Sequence, residues 1–162
     1  MQTFLEIVRE SLASINNPHF YNEERGFQGE LVAEIRKRLP EIETEGVIVQ
    51  QEYQKRMKDH GFKIRPDLIV HIPFEQADFV NRQEGNFFVI ELKHNATKKE
   101  ALADFLKLSR MCALLNYPLG IFINIDSSST YLNEFKEKEK HKLHAFAVKN
   151  EDGIVEIIEN AT

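Results

Sequence analysis

The chain contains one cysteine, Cys112, which excludes an internal disulfide framework and fits a reducing cytoplasm. Cys112 lies in an apolar helical run, where a thiol is expected to be buried and inert rather than nucleophilic. No hydrophobic stretch approaches the length of a membrane span, and Met1-Gln2-Thr3-Phe4-Leu5-Glu6 lacks a signal-peptide pattern. A cytoplasmic protein with no membrane partner is therefore expected. An excess of positive charge is also missing. The formal net charge of −5 argues against a protein coated in nucleic acid, but a local basic groove depends on the field at one place, not on the total. His141 and His144 have no cysteine or further histidine nearby, which excludes a zinc site of the usual spacing. Asp126-Ser127-Ser128-Ser129-Thr130 lacks the glycine and lysine of a phosphate loop and reads as a turn and helix N-cap. No serine or cysteine stands in a nucleophile context, and there is no internal repeat, low-complexity tract or interdomain linker.

What is present is ordinary in bulk and unusual in two places. A chain of 162 residues, 42% hydrophobic and 29% charged, is long enough to bury one core, so residues 1–162 are read as a single domain. Apolar residues at helical spacing predict a helix over 3–15 and a second over 23–39, the latter carrying Phe27, Leu31, Ile35 and Leu39 four apart and ending at Pro40. Strands are predicted over 46–53, 63–72 and 87–93, followed by a long helix over 96–116 and a continuous apolar strand over 119–125. The charged segment 130–142 reads as helix or loop. Asn150-Glu151-Asp152-Gly153 marks a hairpin turn between strands at 143–148 and 154–158. Three strands in series imply an antiparallel meander, and the crossover helix before the fourth implies a mixed sheet with helices on each face.

The unusual places are Arg65-Pro66-Asp67-Leu68-Ile69-Val70 and Phe87-Phe88-Val89-Ile90-Glu91-Leu92-Lys93. Side chains alternate along a strand, so Glu91 and Lys93 share a face, and Asp67 joins them if its strand pairs alongside. Two carboxylates and an amine at a sheet end are expensive to desolvate and contribute nothing to a core. A bound divalent cation with a lysine beside it accounts for them. The competing account is a lysine–carboxylate pair on a half-exposed face, which would contribute on the order of 0–1 kcal/mol.

Asp67 after Pro66, with Glu91-Leu92-Lys93 on the next strand, resembles the PD-(D/E)xK nuclease superfamily. The order helix, three strands, helix, strand over about residues 23–125 is similar to its restriction-endonuclease-like αβββαβ core. The N-terminal helix and C-terminal hairpin are then additions to that α/β core. The resemblance implies a metal-dependent endonuclease, with DNA as the substrate. Asp67 and Glu91 would bind Mg²⁺, for which Mn²⁺ substitutes, with the Leu92 carbonyl as a further ligand. Lys93, its pKa lowered by metal and burial, would orient or deprotonate the attacking water, or stabilise the transition state. The resemblance also implies a further acid from the first core helix, for which Glu30 is the leading choice. Glu34 and Glu24 rank behind it, read as solvated. Glu52 reads as an exposed edge residue, and His71 and His94 as structural. Lys55, Arg56, Lys63 and Arg65 precede the site, and Lys98 and Lys99 follow it, with Lys107 and Arg110 further along the helix. All are candidates for phosphate contacts, aided by the helix N-terminus near Thr97. Duplex cleavage by so small a chain implies a homodimer, to which the terminal hairpin and first helix are available. The alternative is a restriction-endonuclease-like domain that binds nucleic acid or a partner protein without cutting. A third reading is an unrelated α/β protein in which the motif is accidental.

Overall fold

The structure is a computed structural model that describes residues 2–42, 44–51, 65–74, 79–80 and 84–161. Helix α1 spans Gln2–Ser14 and α2 spans Glu24–Arg38. Their apolar stripes are the reason they dock: Ile7, Val8 and Leu12 of α1 and Phe27, Leu31 and Ile35 of α2 are all buried against one face of the sheet. Helix α2 gives way to a short 3-10 turn at Leu39–Glu41, where Pro40 cannot continue the α-helical ladder.

Strands β1 (Ile48–Gln51), β2 (Leu68–His71) and β3 (Asn86–His94) form the predicted antiparallel meander. Helix α3 (Lys98–Leu114) then crosses over, and β4 (Leu119–Ile125) pairs with β3 in parallel. Every residue of β4 is buried, as a strand covered on both faces requires. Helix α3 packs on the opposite face from α1 and α2, where Ala101, Phe105, Leu108 and Cys112 meet Ile69, Val89 and Phe122. Burial pushes the Cys112 thiol up to about 12, so it is inert at neutral pH. Gly120 suits this contact: a Cβ there would lie 2.9 Å from Leu143 Cδ2 and 3.2 Å from Cys112 Sγ, so these side chains would have to shift.

The segment after β4 adds Leu132 and Phe135 to the α3 face and contains 3-10 turns at Leu132–Glu134 and Lys138–Lys142. The turn expected at 126–130 forms, but the helix cap does not, because the helical turn beyond it begins after Tyr131 without a side-chain cap. Strands β5 (Leu143–Glu151) and β6 (Ile154–Ala161) form the hairpin. Asp152 and Gly153 both take positive φ, as a two-residue primed turn demands, and Asn150 Oδ1 accepts from Gly153 N at 2.8 Å. The hairpin is no appendage. Strand β5 lies parallel to β4, so one six-stranded mixed sheet runs β1-β2-β3-β4-β5-β6. Arg9 of α1 closes the molecule by donating to both carboxylate oxygens of Glu159 on β6, at 2.7 and 2.8 Å. Among the described residues, no helix is long and apolar enough to cross a membrane.

Candidate active site

The site forms where β2 begins and β3 ends. Leu68 pairs with Ile90, so continuing the antiparallel register sets Asp67 opposite Glu91. Asp67 Oδ2 accepts from Leu92 N at 2.7 Å, extending the ladder with a side chain. Glu91 and Val89 alternate onto the face covered by α3, and Glu91 is 1% exposed. Burial, reinforced by the charge of Asp67, pushes its carboxyl up to about 8. Lys93, two residues on, is half-buried. Burial opposes its charge, but Glu24, Asp104, Asp67 and Glu91 surround the ammonium and hold its pKa above the ordinary lysine value. Burial lowers the Lys93 pKa as expected, and the carboxylates around it outweigh that part.

Both helical layers reach this point. From α2, Gln28 is buried and its Nε2 donates to the Asp67 carbonyl at 3.0 Å. One turn before it, Glu24 lies 3.7 Å from Lys93 Nζ. From α3, Lys107 Nζ donates to Glu91 Oε2 at 2.6 Å and to the Arg65 carbonyl at 3.1 Å. Asp104, one turn before Lys107, has its carboxyl raised by burial. Lys93 is among the charges that pull it back. Glu91 Oε1 and Asp104 Oδ2 are both buried without a hydrogen-bond partner.

The acid that α2 sends to the site is therefore Glu24, not Glu30. Glu24 stands three residues before Phe27 and seven before Leu31, on the buried stripe; Glu30 follows Gln28 by two and turns about 200° away from it. Glu34 is not a solvated glutamate either, because Lys37 and Arg38 pair with it and hold its carboxyl low. Lys107 turns inward to Glu91 instead of outward to a phosphate. Asp104 escapes a sequence reading that looks for chemistry on strands, and Lys107 enters it only as a phosphate contact, yet the signal exists. Asp104 lies three residues after Ala101 and four before Leu108, both fully buried, so a charge there faces inward.

The basic candidates divide. Lys55, Arg56 and Lys63, with Glu52, lie outside the described residues. Arg65 and Lys99 are exposed, Arg65 with contacts of its own, and Lys98 is ion-paired with Glu134. The α3 N-terminus is already served by the chain's own anion. Thr97 and Glu100 form a capping box, with Glu100 Oε2 accepting from Thr97 N at 2.8 Å. The histidines have structural partners: His71 meets Gln50 at 2.7 Å, His94 lies 3.9 Å from Asp126, His141 meets the Lys138 carbonyl, and His144 packs beside Glu159.

Two orphaned carboxylate oxygens in a cluster of like charge fit a hard divalent cation. Among the described residues, no three acidic, histidine or cysteine side chains are gathered closely enough to hold an ion alone. Mg²⁺ does not require that, since one or two carboxylates with waters and substrate phosphate suffice.

No family model matches the sequence, and no curated protein matches it. Among solved structures, the chain is similar to NucC of P. aeruginosa in its cAAA-bound form, with 10% sequence identity and a TM-score of 0.51 over 98% of this chain and 80% of that one. At such identity the likeness is one of fold: a mixed sheet flanked by helices, consistent with a restriction-endonuclease-like architecture.

Proposed function

We propose that this chain is a Mg²⁺-dependent endonuclease that hydrolyses phosphodiester bonds in DNA. The observation that carries the reading is Glu91. A glutamate 1% exposed, with one oxygen orphaned beside Asp67 and Asp104 and an ammonium two residues along the strand, serves no packing purpose. Asp67 and Glu91 would hold the cation, with the Leu92 carbonyl as a further donor and Mn²⁺ as a substitute. When bound, the metal supplies Lewis-acid stabilisation of charge on the phosphoryl group.

The remaining work falls to the chain. Lys93, whose ammonium lies 3.7 Å from Glu24, is suited to orient the attacking water and to stabilise developing negative charge. Glu24 keeps that ammonium over the sheet end, and Gln28 fixes the backbone at Asp67. Lys99 supplies a phosphate contact without base preference. A homodimer, with one centre for each strand of a duplex, completes the reading. The fold likeness to NucC supports a nuclease-like role and leaves the substrate to experiment.

The test is cleavage of plasmid DNA with Mg²⁺ or Mn²⁺ and with EDTA. Metal-dependent nicking is expected, with Lys93→Met slowing it about 100- to 1,000-fold and Asp67→Ala and Glu91→Ala abolishing it. Wild-type protein that binds DNA and leaves it intact with either metal would instead establish the non-cutting alternative.

A further inference from the structure

Each of the two carboxylates has one oxygen tied to the protein. Asp67 Oδ2 is fixed by the Leu92 N–H, and Glu91 Oε2 by Lys107. From these contacts we infer that Lys107 is a positioning residue for the metal site: a strut from α3 that aims Glu91 and sets its distance from Asp67. This rests on the metal-dependent reading above.

Three observations carry it. Lys107 Nζ makes two contacts, not one: Glu91 Oε2 on β3 and the carbonyl of Arg65, two residues before Asp67. One ammonium therefore ties β3 to the segment that leads into β2, the two segments that supply the carboxylates. Second, the tie uses Oε2 and leaves Oε1, buried and unpartnered, as the oxygen available to a cation. Lys107 can thus stay in place when an ion arrives. Third, the strut springs from a rigid base. Leu108 and Met111 beside it are fully buried, and the helix start is locked by the Thr97–Glu100 capping box. Hydrogen-bond partners that orient metal-binding carboxylates commonly matter about 10- to 100-fold in metal affinity.

Lys107 differs from Lys93 in what it touches. Lys93 lies near Glu24 at the open end of the strand, where a substrate phosphate has access. Lys107 is committed to two protein oxygens and has no need of the substrate.

Calorimetric titration of the full chain with Mn²⁺, in the absence of DNA, tests this directly. Lys107→Met is expected to weaken Mn²⁺ binding about 10- to 100-fold. Lys107→Arg, which retains the charge and can span both oxygens, restores most of the affinity. Lys149→Met, removing a paired lysine on the hairpin, leaves binding unchanged. Thermal melts accompany each titration, and should Lys107→Met fail to fold, Lys107→Gln provides a neutral donor expected to lie between Met and Arg. Wild-type affinity in Lys107→Met or Lys107→Gln overturns the strut while leaving the metal site standing. A wild-type chain that takes up no Mn²⁺ removes the metal-dependent reading itself, and the strut with it.

Discussion

Glu91 carries opposite consequences for stability and for function. Its carboxyl ordinarily titrates at 4.5 and is raised to about 8 by burial and by Asp67. The folded chain therefore binds a proton more tightly here than the unfolded chain does. The stability this contributes is complete below about 4.5 and is lost as pH rises through about 8. In the metal-free protein, Glu91→Gln should abolish that part of the pH dependence. Melting curves between pH 5 and 8 should show the wild type losing ground to the variant as pH rises, and Mn²⁺ should reverse the loss in the wild type alone. A flat difference between the two across that range would mean that Glu91 is not strained. At this scale Asp67, Glu91 and Lys93 were legible from alternation along two strands. Asp104 was not, Glu24 was ranked behind Glu30, and Lys107 was read as a phosphate contact. They act from helices, and a helical residue declares its direction only once the buried arc is known. On α2 that arc is centred near Glu24, and the Phe27–Leu31–Ile35 stripe already contained the information.

At the level of elements, the end of the sheet is held by a side chain outside the chemistry. Asn124 of β4 pairs in register with Lys93 and is fully buried. Its Oδ1 accepts from Ala96 N at 2.8 Å, while its Nδ2 donates to Ser127 Oγ and the Ser129 carbonyl. It thereby stitches the loop leaving β3 to the loop leaving β4 and presents Thr97 to cap α3. Asn124→Ala leaves these groups unsatisfied and should cost about 1–3 kcal/mol in urea unfolding. Gly120→Ala should cost a similar amount, about 1–3 kcal/mol, by making Leu143, Cys112 and Leu108 give way in a packed core. Element type was readable for the helices and strands of the sheet: β4 falls where its unbroken apolar run put it, and the hairpin turn where Asp152-Gly153 put it. What the sequence could not reveal was pairing. A strand buried on both faces has no preferred neighbour in its own pattern, so the parallel seating of β5 beside β4 emerges only from the packing of the whole sheet.

For the molecule as a whole, charge sets the terms of any encounter with DNA. The net charge is −5, so binding must come from a local patch and should weaken steeply with salt, with a logarithmic slope of about −0.9 for each phosphate neutralised. Lys99→Ala should reduce that slope by about one contact. Lys98→Ala should change it less, because Glu134 already occupies that ammonium. Fluorescence anisotropy across a salt series measures both, and equal effects would mean that the Glu134 pair opens on binding. The homodimer proposed for duplex cleavage must also use less of α1 than its sequence advertises, since Ile7, Val8 and Leu12 are consumed by the core. The clasp between Arg9 and Glu159 joins positions 150 residues apart. Synthesis runs from the N-terminal side, so on the ribosome helix α1 waits without its anchor until the partner 150 residues further along has been made.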